Sequence, residues 1–376
     1  MSTPRESRVE HPPTAPQRPQ RLFDFASIGW VLLLSALLML FIVWRLLVPH
    51  FRTHLQQVGN GRDLDTYHYD LSTCLVPREQ LTPSMPKDYL PALTSPAVLA
   101  GADVEAFNKV QRDRYHRKFL VSGDRVIGLS LGGLARAYPL NVLNWHEVVN
   151  DELGSVPVCV TYNPLCDSAV VFDRRVGAET LELGVSGLLY NSNLLMYDRR
   201  PGAHGESLWS QLQFRAVAGP AAAAGASLTV LPLQLTHWSD WLARHPDTTV
   251  IAGDQTKLDR YNTDPYSSYL QLGKQRFPVS PEPPPGGPPP FSYVLALQGE
   301  DGWRVFPYDE IESHTGQSGA WTSGPLTLHY LPVAPGSDYP CAWAEWQGVE
   351  PQYSSVSCLW FAWHAMHPDL TAPGPR

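Results

Sequence analysis

Cysteine is scarce in this chain: its five residues, Cys74, Cys159, Cys166, Cys341 and Cys358, are odd in number and widely spaced. No two stand at zinc-ligand intervals, which argues against a zinc ribbon, and an odd count leaves at least one thiol free or bonded between chains. Charge is thin as well. Charged residues make up 17% of the chain, and the formal net charge of −8 comes without a basic stripe, which argues against nucleic acid as a partner. No Gly-x-Gly-x-x-Gly follows a strand, no phosphate loop ends in Gly-Lys-Ser/Thr, and there is no His-Glu-x-x-His and no Gly-x-Ser-x-Gly elbow. "GVSGL" has the wrong spacing for the last of these. The absences argue against nucleotide use and standard serine hydrolysis.

What the chain does contain is length and aromatics. Its 376 residues allow a membrane segment, a sizeable core and one large or two smaller domains. The 12 tryptophans and 16 tyrosines point to an aromatic-rich core or pocket. Phe25 to Trp44, "FASIGWVLLLSALLMLFIVW", runs without a charge, and a helix of about 20 such residues spans roughly 30 Å of hydrocarbon. A cleaved signal peptide would have a shorter apolar region, and no small-x-small cleavage site follows Trp44. The expectation is therefore a signal anchor, with Trp30 and Trp44 at the interfaces and Arg45 reaching the headgroups. The arginines on the two sides favour a cytoplasmic N-terminus by a small margin, so the main domain is expected to be periplasmic or extracellular.

Composition then divides the chain. Residues 1–22 are polar and proline-rich and read as a disordered tail, followed by the transmembrane helix over 23–48 and a tether over 49–85. A main β-rich lobe is expected over 86–277. "PVSPEPPPGGPPP", residues 278–290, cannot donate to a strand ladder and is a surface loop or a linker. Residues 291–370 form a second lobe completing the same domain, and 371–376 are a loose tail.

Short apolar runs closed by glycine, proline or asparagine fill the body. "RVIGLSLGG", "VPVCVTY", "AVVFDRRV", "TLELGVSG", "NLLMYD", "LTVLPL" and "TTVIAG" read as strands. In "TLELGVSG" the alternation of Leu181, Leu183 and Val185 fits a strand half buried on one face. "LNVLNWHEVVNDELG" reads as a short helix ended by Gly154, and "THWSDWLARHP" as another, with Thr236 as N-cap and Pro246 as stop. The fold class expected is β-rich α+β, with mixed or antiparallel sheets and a few short helices. "VIGLSLGGLARAYPLNVL" (126–143) also resembles "VLALQGEDGWRVFPYDEI" (294–311), and "GSVPVCVTY" (154–162) resembles "SGPLTLHY" (323–330), as two related β-units would. Chance recurrence of strand and turn patterns is the competing explanation.

Three clusters carry possible chemistry. Cys166, in the turn "YNPLC", is a candidate nucleophile or metal ligand at a strand end, or else a small buried hydrophobe. His146, with His364 and His367, would complete a copper or zinc site with Cys166 if the fold gathers them; otherwise the last two pack and cap an aromatic segment. Tyr162, Asn163, Tyr190, Asn191, Asn193, Tyr197 and Trp209 are candidate ligand-binding residues, because asparagine and tyrosine at strand ends orient small ligands, although "YNSN" also closes turns.

The stretches "GGLARAYPLNVLNWHEVVNDELGSVPVCVTYNPLCDSAVVFDR", "GVSGLLYNSNLLMYDR", "SLWSQ", "HPDTTVI", "DPYSSY" and "LWFAWHAMHPDL" together resemble an uncharacterised prokaryotic family, domain of unknown function 3179. The resemblance covers roughly residues 105–370. It implies a secreted or membrane-anchored protein and brings no reaction with it. The family usually carries a Cys-Pro-Leu-Cys turn, whereas Asn163 stands first here, so a two-cysteine redox or metal use does not survive in that form. Two readings stay open. One is a membrane-anchored module binding a small molecule, a metal or an envelope partner protein; the other is a metal-dependent or thiol-dependent redox enzyme using Cys166.

Overall fold

The computed structural model describes residues 25–55, 58–115, 118–200, 205–261, 263–316, 319–333, 339–348 and 353–370. The expected tails over 1–22 and 371–376 lie outside them. The chain separates into two compact units, residues 1–57 and 58–376.

In the first unit, Phe25–Leu55 is one α-helix of 31 residues, and its described apolar side chains, Trp30 and Leu32 to Trp44, are exposed. Among the described residues no helix is long and apolar enough to cross a membrane.

The second unit is β-rich, with mixed and antiparallel sheets and a few short helices. Sixteen described strands build its two large sheets; twelve of them are β1 (Arg125–Leu131), β2 (Leu134–Pro139), β3 (Val148–Leu153), β4 (Val156–Asn163), β5 (Ser168–Asp173), β6 (Gln234–His237), β7 (Tyr293–Gly299), β8 (Gly302–Pro307), β9 (Ala320–Ser323), β10 (Leu326–Leu331), β11 (Cys341–Trp346) and β12 (Ser354–Leu359), and Thr229–Leu231 pairs with β5 off the main order. One sheet runs β8-β7-β12-β5-β4-β3 and ends on Leu93–Thr94; the other runs β9-β10-β11-β6-β1-β2 and continues through Thr249–Ile251 to Val98–Ala100. Among the described residues only the pairings of Leu93–Thr94 with β3 and of Thr249–Ile251 with β2 are parallel.

The registers repeat. Val126 faces Pro139 across β1·β2 as Val294 faces Pro307 across β7·β8. Thr236 faces Val126 across β6·β1 as Cys358 faces Val294 across β12·β7. The β3·β4 and β9·β10 hairpins both turn on a glycine with positive φ, Gly154 at 65° and Gly324 at 62°, where a side chain would be strained.

A five-stranded antiparallel sheet, Leu81–Pro83, Leu183–Tyr190, Asn193–Asp198, Leu208–Ser210 and Arg215–Ala218, covers one side. It shares a core with Cys159, Cys166, Val170 and Phe172. The other face of the same strands, Val158, Val160, Tyr162 and Val171, packs with Ile127, Leu129 and Leu235 of the second large sheet. The β4 and β5 strands are therefore buried on both faces, which is why their sequences are apolar almost throughout.

Several sequence expectations change. From residue 58 on, the supposed tether is part of the body: Tyr67 is buried and donates to the Met85 carbonyl at 2.6 Å, the Leu75 amide bonds Val217, and Leu81 pairs with Tyr190. The 278–290 segment is a surface loop, pinned by Asn191 to Ser280 and by the Phe361 amide to Pro290. Leu183–Tyr190 is buried on both faces, because the chain from residue 58 covers the side that alternation had assigned to solvent. "LNVLNWHEVVNDELG" is helical only over Leu140–Leu143; Val148–Leu153 pairs with β4, since long-range pairing of Val148 and Val149 outweighs a local helical pattern. The Trp238–Arg244 helix forms as expected, but its N-cap is His237 and no side chain caps it.

Candidate functional site

The turn "NPLCD" joins β4 to β5 at the centre of the body, and its five residues separate into different roles. Asn163 uses Oδ1 to accept the Leu165 and Cys166 amides at 3.1 and 3.2 Å, an Asx turn that holds the loop closed. Asp167 follows in the left-handed region at φ 42°. Cys166 is fully buried, and its Sγ donates to the Ser192 carbonyl at 3.2 Å. Burial pushes this thiol well above its ordinary range, with the Asn193 amide opposing and the Glu147 and Asp167 carboxylates adding to the rise. It is a thiol at neutral pH, and a thiol is a poor nucleophile and a poor metal ligand.

On the opposite side of the turn, Asp167 takes a bidentate ion pair from Arg125, at 2.8 and 2.9 Å, and the Tyr162 hydroxyl at 2.5 Å. Both charges are buried, and the Arg125 guanidinium lies 4.6 Å from the Tyr339 ring centroid. This pair joins β1 of one sheet to the β4–β5 turn of the other, so it fixes the packing of the two sheets where the site is built.

The amide side chains named as ligand-binding candidates are mostly spent on the protein itself. Asn193 donates to Ser168 Oγ and Gln211 Oε1 at 3.1 and 2.7 Å and accepts the Leu212 amide; Gln211 in turn donates to Thr161 Oγ1 at 2.9 Å. Asn191 holds Ser280 through both ends of its amide. Tyr197 donates to Asp88 at 2.5 Å, Tyr190 lies in the core, and Trp209 is fully buried with its Nε1 unpartnered. These residues lock the two layers together, as satisfied buried polar networks do.

The imidazoles do not converge on Cys166. His146 is held between the Pro91 carbonyl at Nδ1, 2.6 Å, and the Tyr261 hydroxyl at Nε2, 2.7 Å. His367 places Nε2 2.7 Å from the Leu212 carbonyl, and His364 packs on Trp360. The copper or zinc site expected of Cys166, His146, His364 and His367 is thus corrected: among the described residues no three His, Cys, Asp or Glu side chains are placed to hold a metal. The carbonyls of Pro91 and Leu212 fix His146 Nδ1 and His367 Nε2 as N–H donors, and the Tyr261 hydroxyl takes up the other nitrogen of His146.

One residue escaped the sequence reading. Glu147 is 3% exposed, sits at a strained φ of 56°, and its backbone carbonyl accepts the Tyr162 amide across from the turn. Among the described residues its carboxylate makes no hydrogen bond or ion pair, and burial raises its pKa to about 8. Its charge reaches both the Cys166 thiol and the Tyr266 phenol. Around it, Asn163 Nδ2 and Asn144 Oδ1 are buried without partners. The 264–269 segment lies over them, with Asn144 Nδ2 3.5 Å from Asp264 and the Tyr269 hydroxyl on the Leu165 carbonyl at 3.0 Å. The signal was an acid inside the apolar run "NWHEVV".

The arrangement defines a β-rich body with a saturated polar centre and, beside it, buried polar side chains that lack partners among the described residues. Residues 87–332 match the family described as protein of unknown function (DUF3179), and the chain belongs to that family. The stretch "LWFAWHAMHPDL" lies beyond the matched residues. No curated protein and no solved structure matches the chain.

Proposed function

We propose that the chain is a membrane-anchored, extracytoplasmic binding module, its apolar N-terminal helix set in the bilayer and its β-rich body, two related β-units, on the outer side. The body offers Asn144, Glu147, Asn163 and Cys166 as a chamber for a small uncharged ligand that both donates and accepts hydrogen bonds. The observation carrying this reading is the contrast within one buried region. The Asn193–Gln211 network is saturated, whereas Asn163 Nδ2 and Asn144 Oδ1 lack partners and, among the described residues, the Glu147 carboxylate has none. Buried polar groups ordinarily find a partner, and a carboxyl that stays neutral can donate as well as accept.

The thiol or metal redox alternative has less support, because Cys166 is buried, protonated and remote from a ligand set. Native mass spectrometry of the full chain tests the two. A bound small molecule retained by the wild type and by Cys166→Ser but lost from Asn163→Leu is the expected result. A stoichiometric metal lost from Cys166→Ser, or a turnover abolished by it, would favour the alternative.

A further inference from the structure

The two β-units end on the same short motif, "WSDWLARHPD" at 238–247 and "WFAWHAMHPD" at 360–369. Each forms a seven-residue helix, Trp238–Arg244 and Trp360–Met366. At each C-cap a histidine amide bonds the carbonyl of the second tryptophan, His245 to Trp241 at 2.8 Å and His367 to Trp363 at 2.9 Å. The histidine ring then packs on that tryptophan, with centroids 4.0 and 4.3 Å apart. The result in both units is one Trp-His platform.

The platform of the second unit is occupied by the chain itself. The turn between Leu208–Ser210 and Arg215–Ala218 lays Phe214, at φ 60°, on His367 with centroids 5.5 Å apart and on Trp303 at 5.2 Å. The Leu212 carbonyl of the same turn meets His367 Nε2 at 2.7 Å. In the first β-unit, which holds β1 and β2, the matching position to Trp303 is Ala135, since Ala135 faces Ser130 as Trp303 faces Gln298 in equivalent registers. There Trp241 is fully buried, and only His245 of the platform reaches the surface. Leu134, Ala135, Arg136, Leu153, His245 and Thr248 line a surface groove at the place that Trp303 and Phe214 fill in the other unit. Burial and the neighbouring Arg244 hold His245 below its ordinary pKa, against a smaller opposing pull from Glu345, so its ring is a neutral hydrogen-bonding group.

We infer that this groove is a seat for an aromatic side chain carried on a backbone turn of a partner polypeptide, with a carbonyl of that turn bonded to His245. The occupant is read from the equivalent seat, where a turn of this chain supplies both the ring and the carbonyl. The seat stands independently of the Glu147 chamber.

A cyclic octapeptide of the sequence SQLQFRAV, the turn at 210–217, is the probe, labelled and titrated with the full chain by fluorescence anisotropy. Saturable binding is expected, at least tenfold weaker for the same peptide with alanine in place of phenylalanine. It should weaken at least tenfold for His245→Ala, and not for Ala135→Trp, which supplies the stacking wall that Trp303 gives Phe214 in the other unit. Equal binding of the alanine peptide, or undiminished binding by His245→Ala at an unchanged urea midpoint, would overturn the proposal. If Ala135→Trp does not fold, His245→Ala decides alone. N-acetylphenylalaninamide binding as tightly as the cyclic peptide would refute the turn and assign a free aromatic ligand. A concentration-dependent dimer abolished by His245→Ala would assign the seat to a second copy of the chain instead.

Discussion

Replacing Glu147 by glutamine keeps the shape of the side chain and removes its titration, so the comparison isolates one buried carboxyl. Burial raises its folded pKa to about 8 from an ordinary value of 4.5. Between those values the folded state holds a proton that the unfolded state has released, so stability falls as pH rises through the window and is level outside it. At 1.36 kcal/mol per pH unit, the wild type gives up about 3 kcal/mol by pH 7 and about 5 kcal/mol at the upper end of the window. Glutamine gives up none of this, while its unmatched amide costs about 1 to 2 kcal/mol at every pH. Urea unfolding of the full chain, followed by tryptophan fluorescence from pH 4.5 to 9, should show Glu147→Gln gaining on the wild type steadily with pH and equal or slightly weaker at the acid end. Parallel curves, differing by a constant within about 0.5 kcal/mol, would mean that Glu147 is ionised and paired in the folded protein. The chamber reading would then fail with it.

The buried ion pair and the buried thiol give two further outcomes. Asp167→Ala leaves the Arg125 guanidinium buried without its partner and should cost about 3 to 5 kcal/mol in urea unfolding; a loss under about 1 kcal/mol would show that water reaches this pair. Alkylation should reach Cys74 in the native chain and leave Cys166 unmodified until unfolding, since Cys74 is the only one of the five that is not buried. Mass mapping of Cys166 labelled as fast as Cys74 under native conditions would restore it as a reactive group.

Composition and pattern determined much of the local structure. The strand runs between 125 and 298 lie close to where punctuation by glycine, proline and asparagine placed them, because alternating or continuous apolar residues bounded by turn residues have few other uses. The internal echo of 126–143 with 294–311 also matched equivalent strand pairs, register for register. Its strongest part, W-x-x-W-x-x-x-H-P-D at 238 and 360, was present in the sequence and passed unread because it lies on the helices rather than the strands. Helix content was overestimated at "NWHEVVND", where the partner strand that captures Val148 and Val149 lies in β4, on the far side of a turn.

The site was legible in part. "NPLC" was correctly singled out as a special turn, since its residue types leave little doubt that the chain reverses there. What the turn does was decided by tertiary packing. A second layer of sheet covers Cys166 and raises its pKa, backbone carbonyls occupy His146 and His367, and Arg125 arrives from another sheet to hold Asp167. Glu147 looked like one more polar residue on a helix face. Burial and partner count depend on which segments fold over a residue, and those segments, 58–90 above the five-stranded sheet and 264–269 above the chamber, lie far from it in the chain. The sequence by itself determined the strands, the turn and the repeated motif, since those follow from local residue types; only the tertiary structure decided which polar groups are saturated, because each partner comes from elsewhere.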